Sequence, residues 1–303
     1  MTKVLVIGGT RFFGKRLVQQ WIAEQADITI VTRGNTTDPF GDAVKRLKVD
    51  RQHSETLAAA IGAERYDLVY DNICYLPQQA EQAAEVFNER TGKYIVTSSM
   101  AVYAFGNRSW REQDFDPFTH PLKRNGGQGE PGYAEGKRLV EAVMFRKAAF
   151  PVAAVRFPIV MGLDDYTDRL NFHIRHVQSG NPIGMPNPQA RMSYIHADEA
   201  ADFLYWLGKS ELAGPVNACA SGHISNEELI ELISEATGKS GKLVQETDEA
   251  HQSPYGVPAD WGLDTSKASA AGYTFTQLHE WLPALVREMA AQESVEAGET
   301  AEM

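Results

Sequence analysis

A tyrosine and a lysine that could carry out acid–base chemistry stand four positions apart, at Tyr133 and Lys137. The segment 132–149 has a helical pattern, so we predict that both side chains lie on one helix face. A lysine ammonium beside a phenol stabilises the phenolate and lowers the pKa of the tyrosine. Tyr133 would then exchange a proton with a hydroxyl or carbonyl oxygen of a substrate. Surface helices also carry such pairs by chance, so the interpretation depends on the neighbouring motifs.

A serine follows the predicted strand Tyr94–Thr97, at Ser99. Residues that follow the strands of a parallel sheet lie at its carboxyl edge, where ligands bind. Ser99 is therefore placed to hydrogen-bond the same substrate oxygen that exchanges a proton with Tyr133.

A glycine-rich segment runs from Gly8 to Gly14, between the apolar strand Val4–Ile7 and a helix predicted over 15–24. Gly8 permits a tight turn, and Gly14 lets the helix and the strand pack closely. The amides that open a helix, together with the helix dipole, bind a pyrophosphate. At the first strand-to-helix turn of the chain, this motif predicts a dinucleotide site. Hydride exchange would then belong to a bound nicotinamide, and proton exchange to Tyr133.

The second predicted strand, Ile28–Thr32, is followed by Arg33 and not by an acidic residue. An acid here binds the adenosine ribose of NAD, whereas an arginine accommodates the 2′-phosphate of NADP. Arg33 and Arg11 therefore favour NADP(H) over NAD(H), with two surface arginines as the alternative. Asp50 ends the third predicted strand, where a carboxylate either meets the adenine amino group or is simply solvated.

Strands and helices alternate through the first half of the chain. Further strands are predicted at Leu68–Tyr70 and Val152–Phe157, and further helices over 54–61, 78–88 and 132–149. This alternation predicts an α/β fold with a doubly wound, Rossmann-type parallel sheet. After residue 160 the pattern changes. Gly, Pro and Asn predict a loop over 181–188, Ser225 and Glu228 predict a helix start, and 275–289 predicts a last amphipathic helix.

The composition argues against several classes of protein. The chain has 303 residues, 43% of them hydrophobic, and a formal net charge of -11. The acidic excess makes a nucleic-acid partner unfavourable. Cys74 and Cys219 have no zinc spacing, so we predict no metal and a reducing compartment. The run Val4–Ile7 is too short for a signal peptide or a membrane span, and we predict a cytoplasmic protein with no membrane partner.

Together these motifs resemble those of the extended short-chain dehydrogenases/reductases of the epimerase/dehydratase type. Ser98-Ser99-Met100-Ala101-Val102-Tyr103 is similar to the family's Ser-Ser-x-x-Val-Tyr segment, whose catalytic serine corresponds to Ser99. Tyr133 and Lys137 match its Tyr-x-x-x-Lys pair. Segments 193–199, 216–217 and 263–267 resemble later landmarks of the family, so the similarity extends to about residue 290.

The resemblance implies a domain organisation. A Rossmann domain would span 1–160, with segments near 191–218 returning to it. A smaller mixed α/β substrate domain would span 161–290, followed by a flexible acidic tail over 291–303. A small-molecule substrate and a homodimer through a helical face are also implied.

The predicted site combines these motifs. The catalytic residues would be Ser99, Tyr133 and Lys137, and Lys137 would also bind the nicotinamide ribose. The predicted cofactor contacts are Gly8, Thr10, Arg11, Phe12, Phe13, Gly14, Arg33, Asp50, Asn72, Tyr133, Lys137, Phe157 and Pro158. The predicted substrate contacts are Met100, His173 and Arg191, whereas Tyr166, Phe172 and Trp261 are expected in the core.

Three departures from the family pattern bear on the function. Arg11 replaces the central glycine of the loop, which is similar to a chloroplast stem-loop-binding branch that includes RNA binders. Ile159 and Met192 replace an asparagine and an arginine that hold substrate in UDP-hexose epimerases. Arg191 lies one position away, which turns its side chain to the other face of a strand.

Three functions therefore stay open. The first is an epimerase or dehydratase that acts on a sugar nucleotide or a related substrate. The second is an NADPH-dependent carbonyl reductase, and the third is a non-catalytic nucleotide- or RNA-binding protein.

Overall fold

The computed structural model describes residues 1–51, 54–122 and 130–301. Within these residues, seven parallel strands form a central sheet in the order β12-β7-β5-β4-β1-β2-β3. These strands are β1 Lys3–Ile7, β2 Asp27–Thr32, β3 Lys45–Lys48, β4 Tyr66–Asp71, β5 Thr91–Ser99, β7 Val152–Phe157 and β12 Gly214–Asn217. The α/β, doubly wound fold class is confirmed.

Eight short strands pair outside the central sheet. They are β6 Ser109–Trp110, β8 Ile159–Met161, β9 Pro182–Gly184, β10 Arg191–Met192, β11 Tyr194–His196, β13 Ile224–Ser225, β14 Lys242–Val244 and β15 Gly262–Leu263, counted within the described ranges. They form four two-stranded pairs: β10 with β13, β11 with β8, β14 with β9, and β15 with β6.

Helices cover both faces of the sheet and build the C-terminal part. In the described part of the chain they are α1 Phe12–Ala23, α2 Ser54–Ile61, α3 Pro77–Val86, α4 Tyr133–Lys147, α5 Arg169–Ser179, α6 Ala197–Lys209, α7 Asn226–Thr237, α8 Ser266–Ala270 and α9 Leu278–Ala301. Short 3-10 turns lie at Gly41–Ala43, Met100–Val102, Glu112–Asp114 and Glu249–His251. None of the described helices is long and apolar enough to cross a bilayer.

The first strand shows why the sheet is covered on both sides. Val4 and Val6 pack with apolar side chains of α1 and α6. Leu5 and Ile7 point the other way and pack with α2, α3 and α4. Successive strand residues face opposite sides, so a run of four apolar residues serves two cores. A third core lies among α5, α7 and α9 in the C-terminal part.

Two segments differ from the sequence-based prediction. The predicted loop over 181–188 contains β9, which pairs in parallel with β14. A strand of three residues forms because it pairs with β14, and its own residues carry no strand pattern. The predicted last helix also extends beyond residue 289, because α9 continues to Ala301.

The helical extension reaches into the acidic tail that was expected to be flexible. Its alanines and glutamates favour helix. The tail is also tethered to α5, since Arg175 pairs with Glu293 at 2.9 Å and the Gln178 amide donates to Ser294 Oγ at 3.0 Å. The domain boundaries at residues 160 and 290 stay predictions.

Candidate active site

A cleft of about 540 Å³ opens at the carboxyl edge of the central sheet. It lies beside β1 and β4, whose following helices α1 and α3 cover opposite faces of the sheet. Ligands of doubly wound folds bind at such a switch point. Every predicted catalytic and cofactor residue lines this one cleft: Gly8, Thr10, Arg11, Phe12, Phe13, Gly14, Arg33, Asp50, Asn72, Ser99, Tyr133, Lys137, Phe157 and Pro158.

The glycine-rich turn forms a backbone cradle at one end of the cleft. Gly8 has φ +82°, a conformation that side chains disfavour, and a Cβ on Gly14 would lie 2.4 Å from Gly8 O. The Asn72 amide donates to the same oxygen at 3.3 Å and holds the turn against β4. No side chain of the described chain caps α1 at Arg11. The first-turn amides and the two glycines therefore fit the diphosphate of a dinucleotide.

Phe12, the first residue of α1, adopts φ +50°. Left-handed backbone in a residue other than glycine is strained and often occurs at functional sites. The ring of Phe12 contacts Tyr166 across the cleft, with ring centroids 6.3 Å apart. This ring contact connects the glycine-rich turn to the segment between β8 and α5.

Tyr133 opens α4 and is 57% exposed in the cleft. Partial burial raises the pKa of its phenol, while Ser99 and the Arg169 cation act in the opposite direction. The expectation that Lys137 lowers this pKa is wrong for this arrangement. Lys137 Nζ lies 5.9 Å from the Tyr133 ring centroid and is directed at backbone carbonyls instead.

Lys137 is fully buried beneath the cleft floor. Its ammonium donates to Cys74 O at 2.9 Å and to Thr97 O at 2.7 Å. An ammonium has three donors. In the described chain two of them are used by these carbonyls, and the ring centroid of Tyr75 lies 4.4 Å from Nζ. Desolvation lowers the pKa of Lys137 to about 8. The remaining N–H, at a residue that lines the cleft, fits a ribose hydroxyl of a bound nucleotide.

Two adjacent serines end β5 and have different hydrogen-bond partners. The Ser98 hydroxyl donates to Glu141 at 2.5 Å, and Glu141 pairs with the fully buried Arg156 at 2.6 Å. Arg156 also donates to the Tyr103 hydroxyl at 2.7 Å. This buried network anchors the strand end. Ser99 is left facing the cleft, where its hydroxyl accepts from the Ala101 amide at 3.1 Å.

The cleft also carries the two arginines that were predicted for the adenosine side of the cofactor. Arg33 and Asp50 both line it, together with Arg11 and Thr36. Arg11 Nε donates to Thr36 Oγ1 at 3.2 Å, and its guanidinium lies 5.5 Å from the ring centroid of Tyr166. The two arginines therefore reach the same cleft from different loops.

Sequence reasoning missed part of the substrate end. Tyr75, Asp165 and Arg169 also line the cleft. So does Tyr166, which was expected in the core but is 61% exposed. Their positions in the sequence could have indicated this, because Tyr75 follows β4 and the others lie between β8 and the start of α5.

The three predicted substrate contacts lie outside the cleft lining. Met100 is buried in a cluster with Val102 and Leu263. His173 is fully buried, with its Nε2 2.7 Å from Ser253 Oγ, and burial lowers its pKa to about 4. Arg191 lies on β10 and pairs with Glu228 at 3.2 Å. Met100 follows a strand, His173 lies on a helix and Arg191 lies on a strand. These positions alone did not show in which direction each side chain points.

The fold and this cleft define a dinucleotide-binding α/β protein. Residues 4–219 match the NAD dependent epimerase/dehydratase family, and the chain belongs to that family. The family resemblance predicted from the motifs is therefore confirmed.

One curated relative is the chloroplast stem-loop binding protein of 41 kDa b from Arabidopsis thaliana. It is 24% identical over 78% of this chain, and the chain spans 63% of its length.

Solved structures of similar fold include two epimerases. One is a UDP-glucuronic acid 4-epimerase from Bacillus cereus in complex with UDP-glucuronic acid and NAD, with a TM-score of 0.75 and 17% identity over 96% of this chain and 99% of that one. The other is a UDP-N-acetylglucosamine 4-epimerase from Methanobrevibacter ruminantium, with a TM-score of 0.71 and 17% identity over 97% and 99% of the two chains. At these identities the likeness concerns the fold.

Proposed function

We propose that this protein is a nicotinamide-dependent oxidoreductase of the epimerase/dehydratase type. Its substrate would be a sugar nucleotide or a related small molecule that carries a reactive hydroxyl or carbonyl. The observation that carries the proposal is the convergence of Ser99, Tyr133 and Lys137 on the cleft that also holds the glycine-rich turn. Proton exchange and nucleotide binding are thereby brought to one place.

The residues have separate roles in this proposal. The Tyr133 phenol donates a proton to the substrate oxygen or takes one from it, and Ser99 hydrogen-bonds the same oxygen. Lys137, anchored on two carbonyls, presents one N–H to the nucleotide ribose. A bound nicotinamide supplies hydride exchange at the substrate carbon. Because the pKa of Tyr133 is raised, the phenol is protonated at neutral pH and suits donation to a carbonyl oxygen.

Replacing Tyr133 with phenylalanine tests the proposal. Tyr133→Phe removes the proton donor and little binding surface, so turnover should fall by about a hundredfold or more, the usual contribution of a general acid or base. Dinucleotide affinity should stay within about threefold of the wild type, because one hydroxyl is a small part of the predicted cofactor contacts. Turnover would be followed with UDP-sugars and with carbonyl compounds plus NAD(P)H.

The matched control is Tyr205→Phe, which removes a hydroxyl bonded to Glu24 on the surface of α6, away from the cleft. Full activity in Tyr133→Phe would contradict the assignment. A similar loss in both variants would show a general effect on folding.

A carbonyl reductase that uses NADPH is the second candidate. Arg33 and Arg11 at the adenosine end favour a 2′-phosphate. Met192, at the position of the epimerase substrate arginine, is buried in the C-terminal core and cannot contact a ligand. The NAD named with the Bacillus cereus epimerase favours the opposite choice for the cofactor.

The released nucleotide decides between these candidates. Freshly purified protein would be denatured and its nucleotide identified by mass. Near-stoichiometric NAD would support the self-recycling epimerase and contradict the preference for NADP(H). Protein without bound nucleotide, or with partial occupancy by NADP(H), would support the reductase. In that case Arg33→Ala should weaken NADPH binding by about tenfold, because one charge-assisted contact is lost.

A further inference from the structure

Arg169 is a cation of the substrate end that the proposed roles leave unused. It is exposed, lines the cleft beside Tyr133 and Tyr166, and is the first residue of α5. In the described part of the chain, no ion pair and no side-chain hydrogen bond of Arg169 is recorded.

The acidic residues around Arg169 are committed to other partners. Asp164 pairs with Lys15 at 3.0 Å and with Arg16. Asp165 accepts from the Thr167 amide at 2.9 Å and from the Thr167 hydroxyl. Asp168 pairs with Arg175 on the outer surface of α5. The guanidinium of Arg169 is thus left to the cleft although three carboxylates lie close in sequence.

This placement is energetically unfavourable for the free protein. A cation in the first turn of a helix opposes the helix dipole. Asp168, directly before it, adopts φ +60°, which is strained in a residue other than glycine. A ligand anion beside the guanidinium would offset the cost of placing a cation in this turn.

Arg169 is also close enough to Tyr133 for its charge to lower the pKa of that phenol. The charge therefore acts at the phenol for which proton exchange is proposed. Because Arg169 and Tyr133 line the same cleft, an anion bound by Arg169 would share that cleft with the proposed proton donor.

From this placement we infer that Arg169 binds a carboxylate carried by the substrate next to its reacting carbon. The substrate class is then an acidic one, a sugar acid or its nucleotide derivative, in preference to the neutral sugar. The inference rests on the proposed function, because it assigns the substrate of the same cleft. The exposed rings of Tyr133 and Tyr166 provide the apolar walls against which a sugar ring can pack.

Two matched ligand pairs test the inference. Dissociation constants would be measured for UDP-glucuronic acid against UDP-glucose, and for glucuronate against glucose, on cofactor-saturated protein. The wild type should bind the acid of at least one pair about tenfold more tightly, as expected for one charge-assisted hydrogen-bond pair. Arg169→Gln should abolish this preference, and Arg169→Lys should keep part of it.

Arg65→Gln is the matched control, since it makes the same charge change at an exposed residue before β4, at the amino edge of the sheet. It should keep the preference. The inference is overturned if the wild type prefers neither acid, or if Arg169→Gln retains the preference. It is also overturned if Arg169→Gln weakens the binding of UDP-glucose and of UDP-glucuronic acid equally. Arg169 would then bind the diphosphate that the two ligands share.

The cofactor titration separates this inference from the proposed function. Absence of dinucleotide binding, or full turnover in Tyr133→Phe, would contradict the proposed function itself. Dinucleotide binding with no preference for the acid would contradict the role of Arg169 alone.

Discussion

Lys137 shows how much a tertiary environment changes a residue that spacing had singled out. The i,i+4 relation to Tyr133 is present, but the ammonium is directed at the carbonyls of Cys74 and Thr97. Its ring neighbours are Tyr75, with the centroid at 4.4 Å, and Tyr133 at 5.9 Å. The ammonium is therefore best described as anchored on two carbonyls, and the lowered phenol pKa that the spacing predicted is not found.

The lowered pKa of Lys137 predicts a pH dependence of nucleotide affinity. Since that pKa is about 8, the ammonium that would face the ribose is lost as pH rises through about 8. Affinity for the dinucleotide should therefore decrease between about pH 7 and pH 9, by up to about tenfold for one lost charged hydrogen bond. The measurement is a fluorescence titration with NAD(P)H across this range.

Lys137→Met is the control for this prediction. It should bind more weakly at pH 7 and show a flat profile, because no group is left to titrate at this position. A slope that persists in the variant would assign the pH effect to another residue.

The glycine-rich turn is the element whose geometry was most predictable. Gly8 is required by its φ of +82°, and Gly14 is required by its close contact with Gly8 O. Both the strand before them and the helix after them follow from local pattern. Local pattern could not supply the partner after β4, where the Asn72 amide donates to Gly8 O.

Gly14→Ala should disrupt this element. The added Cβ would lie 2.4 Å from Gly8 O, a backbone atom that can move only with the whole turn. We expect a loss of about 1–3 kcal/mol in unfolding free energy, as for overpacked cores. Dinucleotide affinity should fall by about tenfold or more, because the cradle opens as the helix shifts. Urea unfolding and nucleotide titration give the two values, and an unchanged affinity would show that the turn does not hold the diphosphate.

Helix α5 offers a test of packing by pH. His173, on this helix, is fully buried against Tyr255 and Ser253, and its pKa is lowered from 6.5 to about 4. The unfolded chain binds this proton first, so the contribution to stability is complete above pH 6.5 and is lost as pH falls from 6.5 toward 4. The loss should reach about 3 kcal/mol near pH 4, from 1.36 kcal/mol per pKa unit.

His173→Gln separates this effect from ordinary acid unfolding. The variant should be less stable at pH 7, because the Ser253 contact is altered, but its stability should decrease less steeply between pH 6.5 and pH 4. Urea unfolding at several pH values would reveal it, and parallel curves for the two proteins would show that His173 is not the titrating group.

At the scale of the whole molecule, charge is distributed unevenly. The chain has a net charge of -11, yet Arg11, Arg33, Lys137 and Arg169 line one cleft. Such a cleft attracts small anionic ligands, whereas an acidic surface repels a polyanion. This difference favours a dinucleotide and an acidic substrate over an RNA backbone.

The stem-loop-binding relative makes RNA a question for direct measurement. We predict no shift of a stem-loop RNA in a gel at low salt, where electrostatic binding is strongest. A shift that weakens steeply with added salt would instead support the RNA-binding alternative. The homodimer suggested by the family pattern, and the cytoplasmic location, stay predictions.

The sequence alone predicted the doubly wound sheet, the glycine-rich turn, and the place of Ser99, Tyr133 and Lys137 in one cleft, because these depend on local pattern and on short spacings. Apolar runs define buried strands, glycines mark close backbone contacts, and residues after strands gather at one edge. Tertiary structure alone decided which way side chains turn. Met100 and His173 are buried, and Arg191 faces solvent. Arg169 and Tyr166 line the cleft because of contacts made by the residues around them. Asp168 adopts φ +60°, and Asp164 forms ion pairs with Lys15 and Arg16 of α1. Contacts between segments so far apart in sequence leave no periodic signal in the chain.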